Sequence, residues 1–79
     1  MKHQDKSFQQ IKILRRNIKR ARISKNYTQT QVAMEIGLSQ NAYSKIESGQ
    51  TKITVEIVLL LSTFLEVSFY DLMDEVVEK

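Results

Sequence analysis

Apolar residues recur along this chain at the three- and four-residue spacing of amphipathic helices, and no segment alternates strictly as a half-buried strand would. Ile11, Leu14, Ile18 and Ala21 fall on one helical stripe, with Lys12, Arg16, Lys19 and Arg20 on the opposite side; Ile13 and Ile23 lie off it. Val32, Ala33 and Ile36 form a second short face, and Ala42, Tyr43 and Ile46 a third. Val55, Val58, Leu61, Ser62 and Leu65 share a fourth, and Ile57, Leu60 and Phe64 add a stripe beside it. A helix that is apolar most of the way round belongs at the centre of a fold or at an interface.

With no Pro and only Gly37 and Gly49 as flexible positions, the breaks are read from caps. Ser7 with Gln10 and Thr28 with Gln31 fit the capping box, in which a hydroxyl and a side chain three residues later satisfy each other's backbone N–H; Ser68 with Asp71 is a weaker version. Ser39 and Thr54 are simple N-cap candidates. These starts predict an all-α fold of five helices, at about residues 7–25, 28–36, 39–48, 54–65 and 68–77.

A length of 79 residues predicts one domain over 1–79, its first ten residues forming a basic N-terminal segment. There is no Cys, and His3 is the one histidine, so no metal or other cofactor is expected. Residues 1–10 are polar, without the apolar stretch of a signal peptide, and the longest apolar run, 57–61, is too short to cross a bilayer. A soluble, cytoplasmic protein is expected. The net charge of +3 conceals an asymmetry: residues 1–25 carry +8, residues 26–53 are neutral, and residues 54–79 carry −5. A basic front and an acidic back fit a molecule oriented towards a polyanion. A basic first helix lying on an anionic membrane is the weaker reading, because its apolar face is needed for the core.

The stretch QTQVAMEIGLSQNAYSKIES, residues 29–48, is the most informative. Gly37 stands where a left-handed cap would end the first of two short helices, Leu38 fills the corner, and Ser39 restarts the chain. The small Ala33 lets the two helices approach closely. On the second helix Gln40, Asn41, Ser44, Lys45 and Ser48 occupy one exposed arc. Amides, a hydroxyl and a lysine suit the donor and acceptor pattern of base edges in the major groove. Ser39 to one side, with Gln40, Asn41, Ser44 and Lys45, are the candidate base readers. Gln29, at a helix start, together with Ser48, Gly49, Thr51 and Lys52, are candidate phosphate contacts.

Arg22, Thr28-Gln29, Val32-Ala33, Gly37-Leu38-Ser39, Ile46-Glu47, Gly49 and the closing Leu65-Glu66-Val67-Ser68 with Leu72 together resemble the phage-repressor/Cro-type helix-turn-helix family, over about residues 11–73. The resemblance implies five helices, with the second over the DNA backbone and the third in the major groove. It also implies a structural pair between Arg22 and Glu47, two charges otherwise alone at the edge of an apolar core. There are departures. Asn26 and Tyr27 replace a frequent Gly and aliphatic, and Ile53 replaces a frequent Pro. Leu60 and Phe64 stand where the family is often polar or small. Tyr43 takes an inward position that is often aliphatic, its ring packing while its hydroxyl reaches the rim.

The expected function is sequence-specific binding of double-stranded DNA by a transcriptional regulator, a repressor, acting as a homodimer through Ile57, Leu60 and Phe64. The alternative is an antitoxin-like interaction protein that neutralises a protein partner and regulates its own operon. No grouping of nucleophile, base and orienting residue points to an enzyme.

Overall fold

The computed structural model describes residues 6–75. Five helices follow in order: α1 (Lys6–Ser24), α2 (Gln29–Glu35), α3 (Gln40–Ser48), α4 (Val55–Leu65) and α5 (Phe69–Met73), with no strand among the described residues. The caps explain most boundaries. Thr28 and Gln31 form a complete capping box at α2, and Ser39, Thr54 and Ser68 each accept a backbone N–H from the third residue onward, opening α3, α4 and α5.

The first four helices end alike. In each, a backbone N–H reaches back five residues: Tyr27 to Arg22 at 3.1 Å, Leu38 to Ala33 at 2.9 Å, Gln50 to Lys45 at 2.9 Å and Val67 to Ser62 at 3.1 Å. That closure requires the preceding residue to be left-handed. Asn26, Gly37, Gly49 and Glu66 take up that conformation, with φ of 62°, 80°, 89° and 58°. Asparagine therefore serves in place of glycine at the first turn, and a glutamate, an unfavoured residue for this geometry, serves at the last.

The core is drawn from every helix. Leu14 and Ile18 of α1 meet Val32 and Ala33 of α2, Ile36 beyond it, Tyr43 of α3, Val58, Leu61 and Leu65 of α4, and Leu72 of α5. Ile46 is also buried. α1 packs against α3, α4 and α5, α2 against α3 and α4, and α4 against α5.

Several expectations are corrected. Ile11 is 42% exposed and Val55 73%, although each lies on a stripe that reaches the core farther along its helix. Both line an apolar groove of about 610 Å³, with Phe8, Phe69 and Met73. Ser7 is no cap: the helix already includes Lys6, and the Gln10 side chain donates to the Met73 carbonyl instead of reaching back. α5 stops at Met73, and Asp74 is extended, with Glu75 also outside the helix. Asn17 Nδ2 donates to the carbonyls of Leu72 and Asp74 at 2.8 and 2.7 Å, so α1 side chains occupy carbonyls around the end of α5. Positions 76–77, expected to be helical, and His3 lie outside the described residues.

The stripe Ile57, Leu60, Phe64 is not surplus to the fold. Ile57 and Phe64 pack against the core, and Phe64 stacks on Tyr27, with ring centroids 4.8 Å apart and planes at 25°. The turn after α1 thus covers this second face of α4. Leu60 alone of the three is exposed, at 41%. Ile13, which the periodicity left unplaced, is half-buried, and Ile23 is exposed.

Candidate nucleic-acid interface

The site is organised by one carboxylate. Glu47 lies in the last turn of α3, with its side chain 4% exposed, opposite Arg22 of α1 at 11%. Arg22 Nε donates to Glu47 Oε2 at 2.8 Å and Nη2 to Oε1 at 3.1 Å, the bidentate geometry that a planar guanidinium favours. Tyr43 donates its hydroxyl to Oε2 at 2.5 Å, and Gln29 donates Nε2 to Oε1 at 3.0 Å. Each oxygen therefore accepts two hydrogen bonds, and the ion is compensated despite its burial. Arg22 also donates Nη1 to the Tyr27 carbonyl at 2.9 Å, tying the α1–α2 turn to the same node.

The titration behaviour follows from these contacts. Burial alone would raise the Glu47 pKa, but the hydrogen bonds from Arg22, Tyr43 and Gln29 outweigh it and hold the pKa below the ordinary glutamate value of 4.5. The hydrogen bond to Glu47 is the main influence raising the Arg22 pKa, against the opposing effect of burial. Burial first, and the bond to Glu47 second, push the Tyr43 pKa far above its ordinary 10.0. The Tyr43 hydroxyl thus points to the node and not to the rim.

Around this node α3 presents its outer face. Ser39 is occupied as the N-cap, its Oγ accepting from the Ala42 N–H at 3.1 Å. Gln40 is exposed and donates Nε2 to Gln29 Oε1 at 3.3 Å. Asn41 and Lys45 are exposed, and Ser44 is half-buried beside them. The Gln29 amide bridges Glu47 and Gln40, and its first-turn N–H, the group that a helix start offers to phosphate, remains able to meet an anion.

The segment after α3 has backbone donors already engaged. The N–H groups of Gly49, Gln50 and Thr51 are all used in closing the helix, on the carbonyls of Ile46 and Lys45. Ser48 donates its hydroxyl to the Lys45 carbonyl at 3.2 Å and accepts from Gln50 Nε2 at 3.1 Å. The exposed side chains of Thr51 and Lys52 are what this segment offers outward. Sequence reasoning missed the Gln29 bridge and the Asn17 lock on α5, since neither residue stands at a spacing that marks a contact between distant helices.

A family model described as helix-turn-helix matches residues 18–72. The chain belongs to the helix-turn-helix family. Helix-turn-helix proteins of this Cro/C1 type are DNA-binding regulators, and α2 and α3 are the helices that correspond to the motif. The chain is also similar to Antitoxin PezA of Streptococcus pneumoniae serotype 4 (strain ATCC BAA-334 / TIGR4), at 30% identity over 60 residues. That match covers 76% of this chain, and the chain spans 38% of the relative's length. No solved structure matches the helix-turn-helix chain at a significant level. Among the described residues no helix is long and apolar enough to cross a membrane, and no cluster of His, Cys, Asp or Glu could hold a metal.

Proposed function

We propose that the chain is a sequence-specific regulator of transcription, a repressor, that lays α3 in the major groove of duplex DNA. One observation carries this reading: Gln40, Asn41, Ser44 and Lys45 lie on the outer face of a helix whose last turn is pinned to α1 and α2 through Glu47. A reading helix must be held rigidly to discriminate bases, because each good bidentate contact is worth only about 1–3 kcal/mol. Gln40 and Asn41 are the main base readers, Ser44 and Lys45 extend the reading, and Ser39 stands at its edge. Lys52, Thr51 and the first-turn N–H of Gln29 hold the phosphates, with Ser48 and Gly49 shaping that edge. Selection of bound sequences from random duplex DNA is the test. Enrichment of a palindromic consensus supports the reading, and recovery of unselected sequence defeats it.

A palindrome would reflect a homodimer, since two recognition helices about 34 Å apart read two half-sites on one side of the duplex. The dimer contact is centred on Leu60, with Ile57 and Phe64 flanking it. Leu60 lines an open cleft with Tyr27, Glu35, Ile36 and Phe64, and its apolar surface is free to meet a second copy. Sedimentation of the wild type and of Leu60→Glu checks this. Dimer in the first and monomer in the second, with the helical signal retained, is the expected pair of results. A wild type that stays monomeric and fills half-sites independently defeats it.

The relative's name, an antitoxin, favours a second reading, in which the protein neutralises a partner and regulates its own operon. Co-purification of a second small protein encoded beside it separates the two: a stoichiometric complex supports the antitoxin role.

A further inference from the structure

Arg15 lies on α1, next to the buried Leu14, and its guanidinium is laid across the end of α3. Nη2, Cζ and Nε lie 3.0, 3.1 and 3.1 Å from the position that a Cβ on Gly49 would occupy. Three atoms of a planar group at nearly equal distance mean that its face is turned to the Gly49 α-carbon. Gly49 is therefore needed twice, for its left-handed φ of 89° and for the absence of a side chain under the arginine. Among the described residues no hydrogen bond or ion pair engages this guanidinium. Arg15 is half-buried, so its guanidinium, with five N–H donors, stands at the edge of the protein.

We propose that Arg15 binds a backbone phosphate of DNA, as a contact supplied by α1 beside the one made by Lys52. The proposal rests on the reading of α3 as the recognition helix. The groove is apolar within, and it is its rim that suits an anion. Arg15 and residues 49–54 border the same groove, and Thr51 and Lys52 on that border add an exposed hydroxyl and a second cation. The carbonyls of Lys45 and Ile46, which would repel an anion at the end of α3, already accept from residues 49–51. A phosphate that lies against the C-terminal end of a helix in the major groove meets this corner. A guanidinium already held flat on Gly49 loses little further freedom in presenting a planar fork to phosphate oxygens.

The test measures affinity against salt for the wild type, Arg15→Gln, Arg15→Lys and Lys52→Ala, on the selected site and on random duplex. Each phosphate contact contributes about 0.9 to the slope of log K against log salt. Arg15→Gln is expected to lower that slope by about 0.9, which is about an eightfold loss at 0.1 M salt relative to 1 M, on both DNAs alike. Arg15→Lys is expected to keep the slope, with the unfolding midpoint little changed in either variant. An unchanged slope in Arg15→Gln, beside a lowered one in Lys52→Ala, would overturn the proposal and leave the recognition reading standing. A loss confined to the selected site would also overturn it, as the mark of a base contact. A wild type without salt-dependent duplex binding would remove the recognition reading and the proposal together.

Discussion

Replacing Glu47 with Gln preserves volume and removes one charge from the node joining α1, α2 and α3. The two side chains of its ion pair are 4% and 11% exposed, so the pair is not the water-screened kind worth about 0–1 kcal/mol. Breaking a buried pair costs about 3–5 kcal/mol, because the remaining charge is left uncompensated. Arg22 keeps its bond to the Tyr27 carbonyl and some contact with water, which places the expected loss near 3 kcal/mol. The amide cannot repair the damage by turning over. One carboxylate oxygen accepts from Arg22 Nε and Tyr43, the other from Arg22 Nη2 and Gln29, so in either orientation the new NH2 faces two donors. A chain of this length has a total stability of about 4–12 kcal/mol, so the loss is a large fraction of it. Urea denaturation followed by circular dichroism at pH 7, on Glu47→Gln, Arg22→Met and the double variant, measures both the loss and the coupling. The pH dependence has a definite sign. A carboxylate whose folded pKa is depressed contributes stability above its unfolded value of 4.5, and loses it as pH falls through the folded pKa. The wild type is expected to weaken on the acid side more steeply than Glu47→Gln. A loss below about 1 kcal/mol, or strictly additive single variants, would refute the reasoning.

Tyr43 makes the opposite case: its folded pKa is raised far above 10.0, so its contribution is complete below pH 10 and is lost as pH rises, and Tyr43→Phe is expected to show a flatter alkaline limb in thermal melts. Asn41→Ala is expected to lower affinity for the selected site by about 1–3 kcal/mol and to relax preference at one base pair. Affinities on all single-base variants of the site check this, and an unchanged profile removes Asn41 from the readers. Glu66→Gly relieves a left-handed residue at the end of α4, and the exposed bond it gives up, from Lys25 at 3.0 Å, is weak. A gain of about 1 kcal/mol in chemical denaturation is expected, and a loss would mean that the Lys25 pair matters more than the backbone.

Local signals in the sequence carried the helices. Thr28, Ser39, Thr54 and Ser68 are residues whose side chains do their work within four positions, so spacing alone identifies them. The α2–α3 turn was legible for the same reason. The failures lie where a residue's role is set by a distant part of the chain. Ile11 and Val55 obey the helical period, but burial depends on what lies opposite, and opposite them lies an open groove. At the end of α5, the Leu72 carbonyl is taken by Asn17, 55 residues earlier, a partner that no local spacing marks. Glu66 adopts a conformation that its residue type disfavours, so propensity pointed away from it. Arg22 with Glu47 was reached through the family pattern; the Tyr43 bond to Glu47 stands at the i, i+4 spacing of one helix and was legible there though not read, while the Gln29 bond, 18 residues away in sequence, had no local mark.

The bridge through Gln29 has a consequence for recognition that charge alone dictates. An amide's oxygen and nitrogen are assigned from its hydrogen-bond partners. Glu47, ionised, accepts only, so the end of Gln29 that faces it must be the NH2 group. The Gln29 oxygen is then turned to Gln40, and the end of Gln40 that meets it must in turn be NH2. One carboxylate thus fixes the polarity of two successive amides, from the polar edge of the core to the proposed reading face. Gln40 uses one N–H in this contact and retains its second N–H and its oxygen, the donor and acceptor that a bidentate contact with adenine requires. Asn41 has no such tether among the described residues, and in the proposed complex the DNA itself would order it, at a cost in side-chain freedom. The node under α3 therefore does more than hold a helix in place: it sets which way the Gln40 amide, the proposed reader, faces. Gln29, whose place at a helix start suggested a phosphate contact through its backbone N–H, is also the residue that carries that orientation outward through its side chain.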